Sequence, residues 1–101
     1  MRKIISKAGD FKIESYSLRD GELTLYSESS EKSKVSFLGV KALCVQTDMV
    51  NLSLAVENIA MSVFLPQVMK IEYDKNMMVY HISTDNWDGY VIAAKCNIRE
   101  A

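Results

Sequence analysis

The chain carries one histidine, one proline and two cysteines among its 101 residues, and each scarcity removes a class of chemistry. A structural zinc site draws four Cys or His ligands at close paired spacings, whereas Cys44, His81 and Cys96 are three residues far apart. The four glycines, Gly9, Gly21, Gly39 and Gly89, are isolated from one another, so no glycine-rich loop can cradle a phosphate chain and the common forms of nucleoside-triphosphate chemistry are excluded. An excess of one charge is also missing: 12 Lys and Arg against 13 Asp and Glu leave a formal net charge of -1. With no overall positive field, no nucleic-acid partner is expected.

Long apolar runs are absent too. Residues Met1 to Ala8 set Arg2, Lys3 and Lys7 around only two large apolar residues, Ile4 and Ile5, without the apolar run of about 7 to 15 residues that a secretory signal needs. Between Lys41 and Lys70, Gln46, Asp48, Asn51, Glu57, Asn58 and Gln67 interrupt the apolar residues, which leaves no place for a spanning helix of roughly 20 apolar residues. The expectation is a cytoplasmic protein with no membrane partner. Its two cysteines lie in apolar strand-like patterns, and they are read as packed, reduced thiols rather than a disulfide.

What is present is ordinary globular composition, 49% hydrophobic and 25% charged, enough to build one core and consistent with a single domain over residues 1–101. The organising pattern is alternation with a period of two, broken by turn residues, which marks half-buried strands. Phe11-Lys12-Ile13-Glu14 and Glu22-Leu23-Thr24-Leu25-Tyr26 flank Arg19-Asp20-Gly21, where Gly21 can take a positive φ and close a hairpin. Ser27 to Ser33 is polar and is read as a solvated connection to Val35-Ser36-Phe37; Gly39 marks a bulge, a bend or a close backbone approach before a strand over Val40 to Thr47.

Further on, Met69, Ile71 and Tyr73 alternate, Asp74-Lys75-Asn76 turns the chain, and Met78, Tyr80 and Ile82 return it as a second hairpin. After Ser83 to Gly89, the residues Tyr90, Ile92, Ala94, Cys96 and Ile98 are expected on one apolar face, opposite Lys95, Asn97 and Arg99. Residues 50–65 fit either strands, with Glu57-Asn58 as a turn or bulge, or a short helix, because Leu52, Val56, Ile59 and Val63 also form a helical stripe. Pro66 should end whatever precedes it. The expected fold is mainly β: a single antiparallel sheet domain folded as a small sandwich or half-barrel, with that short helix as the one open alternative.

Candidates for chemistry are few. His81 falls at the edge of the core or on an outer face, where a hydrogen-bonded or exposed imidazole is the plain reading, and a Cys–His pair has no local motif behind it. Asp85 and Asp88 flank Trp87 in a turn; calcium loops need denser oxygen ligands, so no metal site is expected there. Asp85, Trp87 and Asp88 instead form the candidate partner-binding set, an aromatic anchor beside carboxylates that attract basic groups. The competing reading folds Trp87 back onto the core, with both carboxylates making turn hydrogen bonds. Met69, Met77 and Met78 are read as core filling. Catalytic residues, cofactors and metals are expected to be none.

Asp10-Phe11-Lys12-Ile13-Glu14-Ser15-Tyr16, Asp20-Gly21-Glu22-Leu23, Val35-Ser36-Phe37-Leu38-Gly39-Val40 and Gly89-Tyr90-Val91-Ile92-Ala93-Ala94 together give the chain a texture that resembles small bacterial immunity proteins, which are mostly β and are encoded beside polymorphic or contact-dependent toxins. The resemblance implies a non-enzymatic protein-binding module that neutralises a cognate toxin by direct contact, through an acidic or shape-complementary face. The alternative is a small structural subunit that forms a homo-oligomer through a strand edge or apolar face.

Overall fold

Among the described residues, alternation in the sequence becomes ten strands: β1 (Arg2–Ile5), β2 (Phe11–Ser17), β3 (Glu22–Tyr26), β4 (Lys34–Leu38), β5 (Ala42–Cys44), β6 (Asp48–Met49), β7 (Ser53–Asn58), β8 (Met78–Ser83), β9 (Asp88–Ala93) and β10 (Lys95–Arg99). The structure is a computed structural model and describes residues 1–17, 19–29, 34–61 and 76–100. One sheet, A, has the order β1-β7-β8-β9-β5, and the other, B, has the order β10-β4-β3-β2-β6; all pairings are antiparallel. Between them lies one core, with Phe11, Leu23, Leu25, Val35 and Phe37 from sheet B packed with Leu54, Val56, Tyr80, Ile82, Val91 and Ala93 from sheet A.

The sheets are joined through their strands. Ala8 N donates to Leu52 O and Leu52 N to Gly9 O, at 2.8 and 2.9 Å, which carries the β1/β7 pair of sheet A into the β2/β6 pair of sheet B. On the other side, Lys41 N donates to Ile92 O at 2.8 Å and Ala94 N to Leu38 O at 3.0 Å, linking β5/β9 to β4/β10. With β3 bridging β2 to β4 and β8 bridging β7 to β9, the pairings form a closed circuit.

Each passage between sheets leaves a mark on the side-chain pattern. Core-facing residues step by two within a sheet but by three at a corner: Phe37 to Val40, Met49 to Leu52, and Ala93 to Cys96. An odd step is what a bend of one extra residue produces, since it exchanges the two faces of the strand. For this reason the expected single face from Tyr90 to Ile98 is not found. Val91 and Ala93 face the core together with Cys96 and Ile98, while Ile92 and Tyr90 join Ile59, Met77, Val79 and Ala42 in a second cluster on the outer face of sheet A.

The first hairpin is as expected. Ser17 pairs with Glu22, Gly21 has φ +67°, its N–H donates to Ser17 O at 2.8 Å, and Ser17 Oγ lies 3.1 Å from Asp20 Oδ2. Four local readings change. Glu57 and Asn58 continue strand β7 in register with Val79 and Met78, so they are neither turn nor bulge. The helical alternative reduces, among the described residues, to one 3-10 turn at Ile59–Met61. The strand expected over Val40 to Thr47 is only Ala42–Cys44, paired with β9. Ser27, expected to be solvated, is buried, its Oγ accepting from Ser29 N at 3.3 Å. The expectations for Val63, Pro66, Met69, Ile71, Tyr73 and the Asp74-Lys75 turn lie outside the described residues.

Candidate functional site

The turn 84–87 connects β8 to β9 and is tied at every step. Thr84 organises it: Thr84 N donates to Trp87 O at 2.9 Å, Thr84 Oγ1 donates to the same carbonyl at 2.8 Å, and Thr84 Oγ1 accepts from Asn86 N and Trp87 N at 3.2 and 2.9 Å. A hydroxyl that both gives and receives bonds to nearby backbone is the local reason this stretch turns rather than extends. Ser83 Oγ donates to Asp88 Oδ1 at 2.9 Å, closing the base of the loop.

Its neighbours fasten it further. Trp87 Nε1 donates to the backbone carbonyl of Asp48 at 2.7 Å, and the half-buried ring packs against the main core. Asp85 N donates to Val50 O at 2.9 Å, and Asn51 Nδ2 donates to Asp85 Oδ2 at 2.7 Å. Asn51 has φ +54°, a conformation asparagine tolerates better than most residues, and its own N–H donates to Asp10 Oδ1 at 3.2 Å. One end of the molecule thus collects the exposed Asp10, Asp48, Asp85 and Asp88 around one indole.

Of the residues singled out in sequence, Asp85 and Trp87 therefore stand in this turn and Asp88 opens β9 beside them, with Trp87 turned partly inward and both carboxylates in hydrogen bonds. Asp10, Asp48 and Asn51 were not legible as their companions, because they come from two other corners of the fold.

His81 lies on the outer face of sheet A. Its Nε2 is 2.7 Å from Glu57 Oε1, a diagonal contact between β8 and β7, and the two side chains are only 16% and 12% exposed. The pair separates two clefts: one of about 550 Å³ lined by Arg2, Glu57, Asn58, Met61 and Met78 among others, and one of about 280 Å³ that includes Lys3, Ser53, His81 and Ser83. Ser83 gives its proton to Asp88, and Ser53 Oγ accepts from Lys7 N at 3.0 Å.

The cysteines divide. Cys44, expected to be packed, is exposed at the end of β5, where the strand leaves the sheet; Cys96 is half-buried against the core, and both are free thiols. Burial pushes the Cys96 thiol up to about 12, which keeps it protonated and a poor nucleophile near neutral pH. Met77 is buried in the outer cluster and Met78 packs against the main core, the filling role expected of them, while Met69 is outside the described residues. Among the described residues, no group of three or more His, Cys, Asp or Glu side chains could hold a metal ion, and no helix is long and apolar enough to cross a membrane. No family model, curated protein or solved structure matches the chain.

Proposed function

We propose that the chain is a non-enzymatic protein-binding module, most specifically an immunity protein that blocks a cognate toxin in the cytoplasm by direct contact. The observation that carries this reading is the prebuilt end of the fold at Asp10, Asp48, Asp85, Trp87 and Asp88. Loops ordinarily lose conformational freedom when they dock; one already tied by Thr84, Asn51 and the indole bond to Asp48 O has less to lose. Four carboxylates at that end favour a partner with a basic face, raising the encounter rate and selecting against acidic surfaces. The sequence resemblance to immunity proteins supplies the finer assignment.

Co-expression with the product of the adjacent gene tests this. The chain should co-purify with that product and protect cells from it. Asp48→Lys should weaken the complex at least about tenfold, about 1.4 kcal/mol, with the fold unchanged, because the Asp48 carbonyl, not its carboxylate, anchors the indole. Absence of both complex and protection would overturn the function, and an undiminished complex with Asp48→Lys would overturn the assigned face.

A further inference from the structure

The outer face of sheet B carries two ordered rows of polar side chains. Register aligns Lys12 with Tyr26, Tyr26 with Lys34, and Lys34 with Arg99, so three cations and a phenol run across β2, β3, β4 and β10. The adjacent row, two residues along each strand, aligns Thr24 with Ser36 and Ser36 with Asn97. Between the rows is an open groove of about 490 Å³ lined by Glu14, Thr24, Lys34, Ser36, Asn97 and Arg99, with Ile98 beneath.

We infer that this groove is a binding site for a phosphate-class oxyanion. Lys34 and Arg99, directly opposed on neighbouring strands, supply a point charge and a planar fork of donors, the two forms of cation that recognise phosphate oxygens. The hydroxyls of Thr24 and Ser36, 3.4 Å apart, and the Asn97 amide supply neutral donors on the other side of the anion. Glu14 explains how Lys34 is kept there. It is the extra residue of the bulge between Ile13 and Ser15, which turns its carboxylate across β3 to lie 3.2 Å from Lys34 Nζ. With both side chains about two-fifths exposed (40% and 39%), this pair is a weak surface contact that a doubly charged anion can displace. Glu14 then acts against the anion, so its charge sets the affinity.

The same chemistry is presented by inorganic phosphate and by a phosphate monoester on a small molecule. Titration of the full chain with inorganic phosphate and, separately, glycerol phosphate, followed by NMR, distinguishes the two. Chloride at matched ionic strength is the control. Saturable shifts at Thr24, Ser36 and Asn97 are expected, with tighter binding of the monoester if the natural ligand is a small phosphorylated molecule and equal binding if it is free phosphate. Lys34→Met should weaken binding at least about tenfold, the loss of one charge-assisted hydrogen bond, and Glu14→Gln should strengthen it. Shifts that chloride reproduces, that saturate at the same phosphate concentration in a folded Lys34→Met variant, or that Glu14→Gln diminishes would each overturn the site.

Discussion

Phe37 of β4 and Tyr80 of β8 meet edge to face across the core, ring centroids 5.3 Å apart at 66°, and so join one sheet to the other. Phe37 is fully buried and Tyr80 nearly so. Truncating Phe37→Ala should cost about 3–5 kcal/mol, a large share of the roughly 5–15 kcal/mol that a domain usually holds, measured as a lower urea midpoint. A double-mutant cycle with Phe37→Leu and Tyr80→Leu should give a coupling of about 0.5–1.5 kcal/mol. Strict additivity would mean that the aromatic pair contributes nothing beyond the area it buries.

The corners set a second expectation. Gly39 has φ +69°, and a Cβ there would come 2.8 Å from the Ala94 Cβ, where β4/β5 and β9/β10 bend together. Gly89 is tighter still: its Cβ would meet the Cys44 carbonyl oxygen at 2.1 Å and the Trp87 ring at 2.7 Å. Gly39→Ala should cost about 1–3 kcal/mol through left-handed backbone strain and overpacking together. Gly89→Ala should cost more, because a backbone atom cannot rotate away. Equal stability of wild type and Gly89→Ala in urea denaturation would contradict the close approach of β5 to β9.

Alkaline pH should loosen the fold. Burial raises Cys96 from 9.0 to about 12. Tyr80 is raised above 10.0, first by burial and then by the nearby Cys96, with Arg2 acting in the opposite direction. Both groups hold their protons more firmly when folded than when unfolded. Their contribution to stability is therefore complete below pH 9.0 and is lost as pH climbs from there toward about 12. Urea midpoints across that range should fall, and Cys96→Ser should flatten the fall. At neutral pH a thiol reagent should label the exposed Cys44 quickly and Cys96 only on unfolding. Equal labelling rates in the native state would show that Cys96 is not shielded.

Much of the architecture was legible because burial on one face writes itself as alternation. The β2–β3 hairpin could be read from Gly21 and its flanks. The corners could not. The three-residue steps at Val40, Leu52 and Cys96 look like faults in a pattern until the sheet pairings explain them, and a continuous reading from Tyr90 to Ile98 assigned Ile92 to the wrong face. In the candidate docking end, Trp87 and its two carboxylates were visible as a local cluster. Their ties to Asn51, Asp10 and the Asp48 carbonyl depend on corners brought together only in three dimensions. Glu57 as the companion of His81 was hidden for a related reason, since a diagonal contact needs the strand register before it can be seen.

The acidic end around Trp87 is held in shape in the free chain. Hydrogen exchange on the free protein measures this directly, at the Trp87 indole N–H and at the amides of Asp85 and Trp87, which donate to Asp48 O, Val50 O and Thr84 Oγ1. Exchange much slower than in an unstructured peptide at all three positions is the expected result. Exchange at the unstructured rate, while the amides of β8 and β9 stay protected, would show a loop that forms only on docking and would contradict the account.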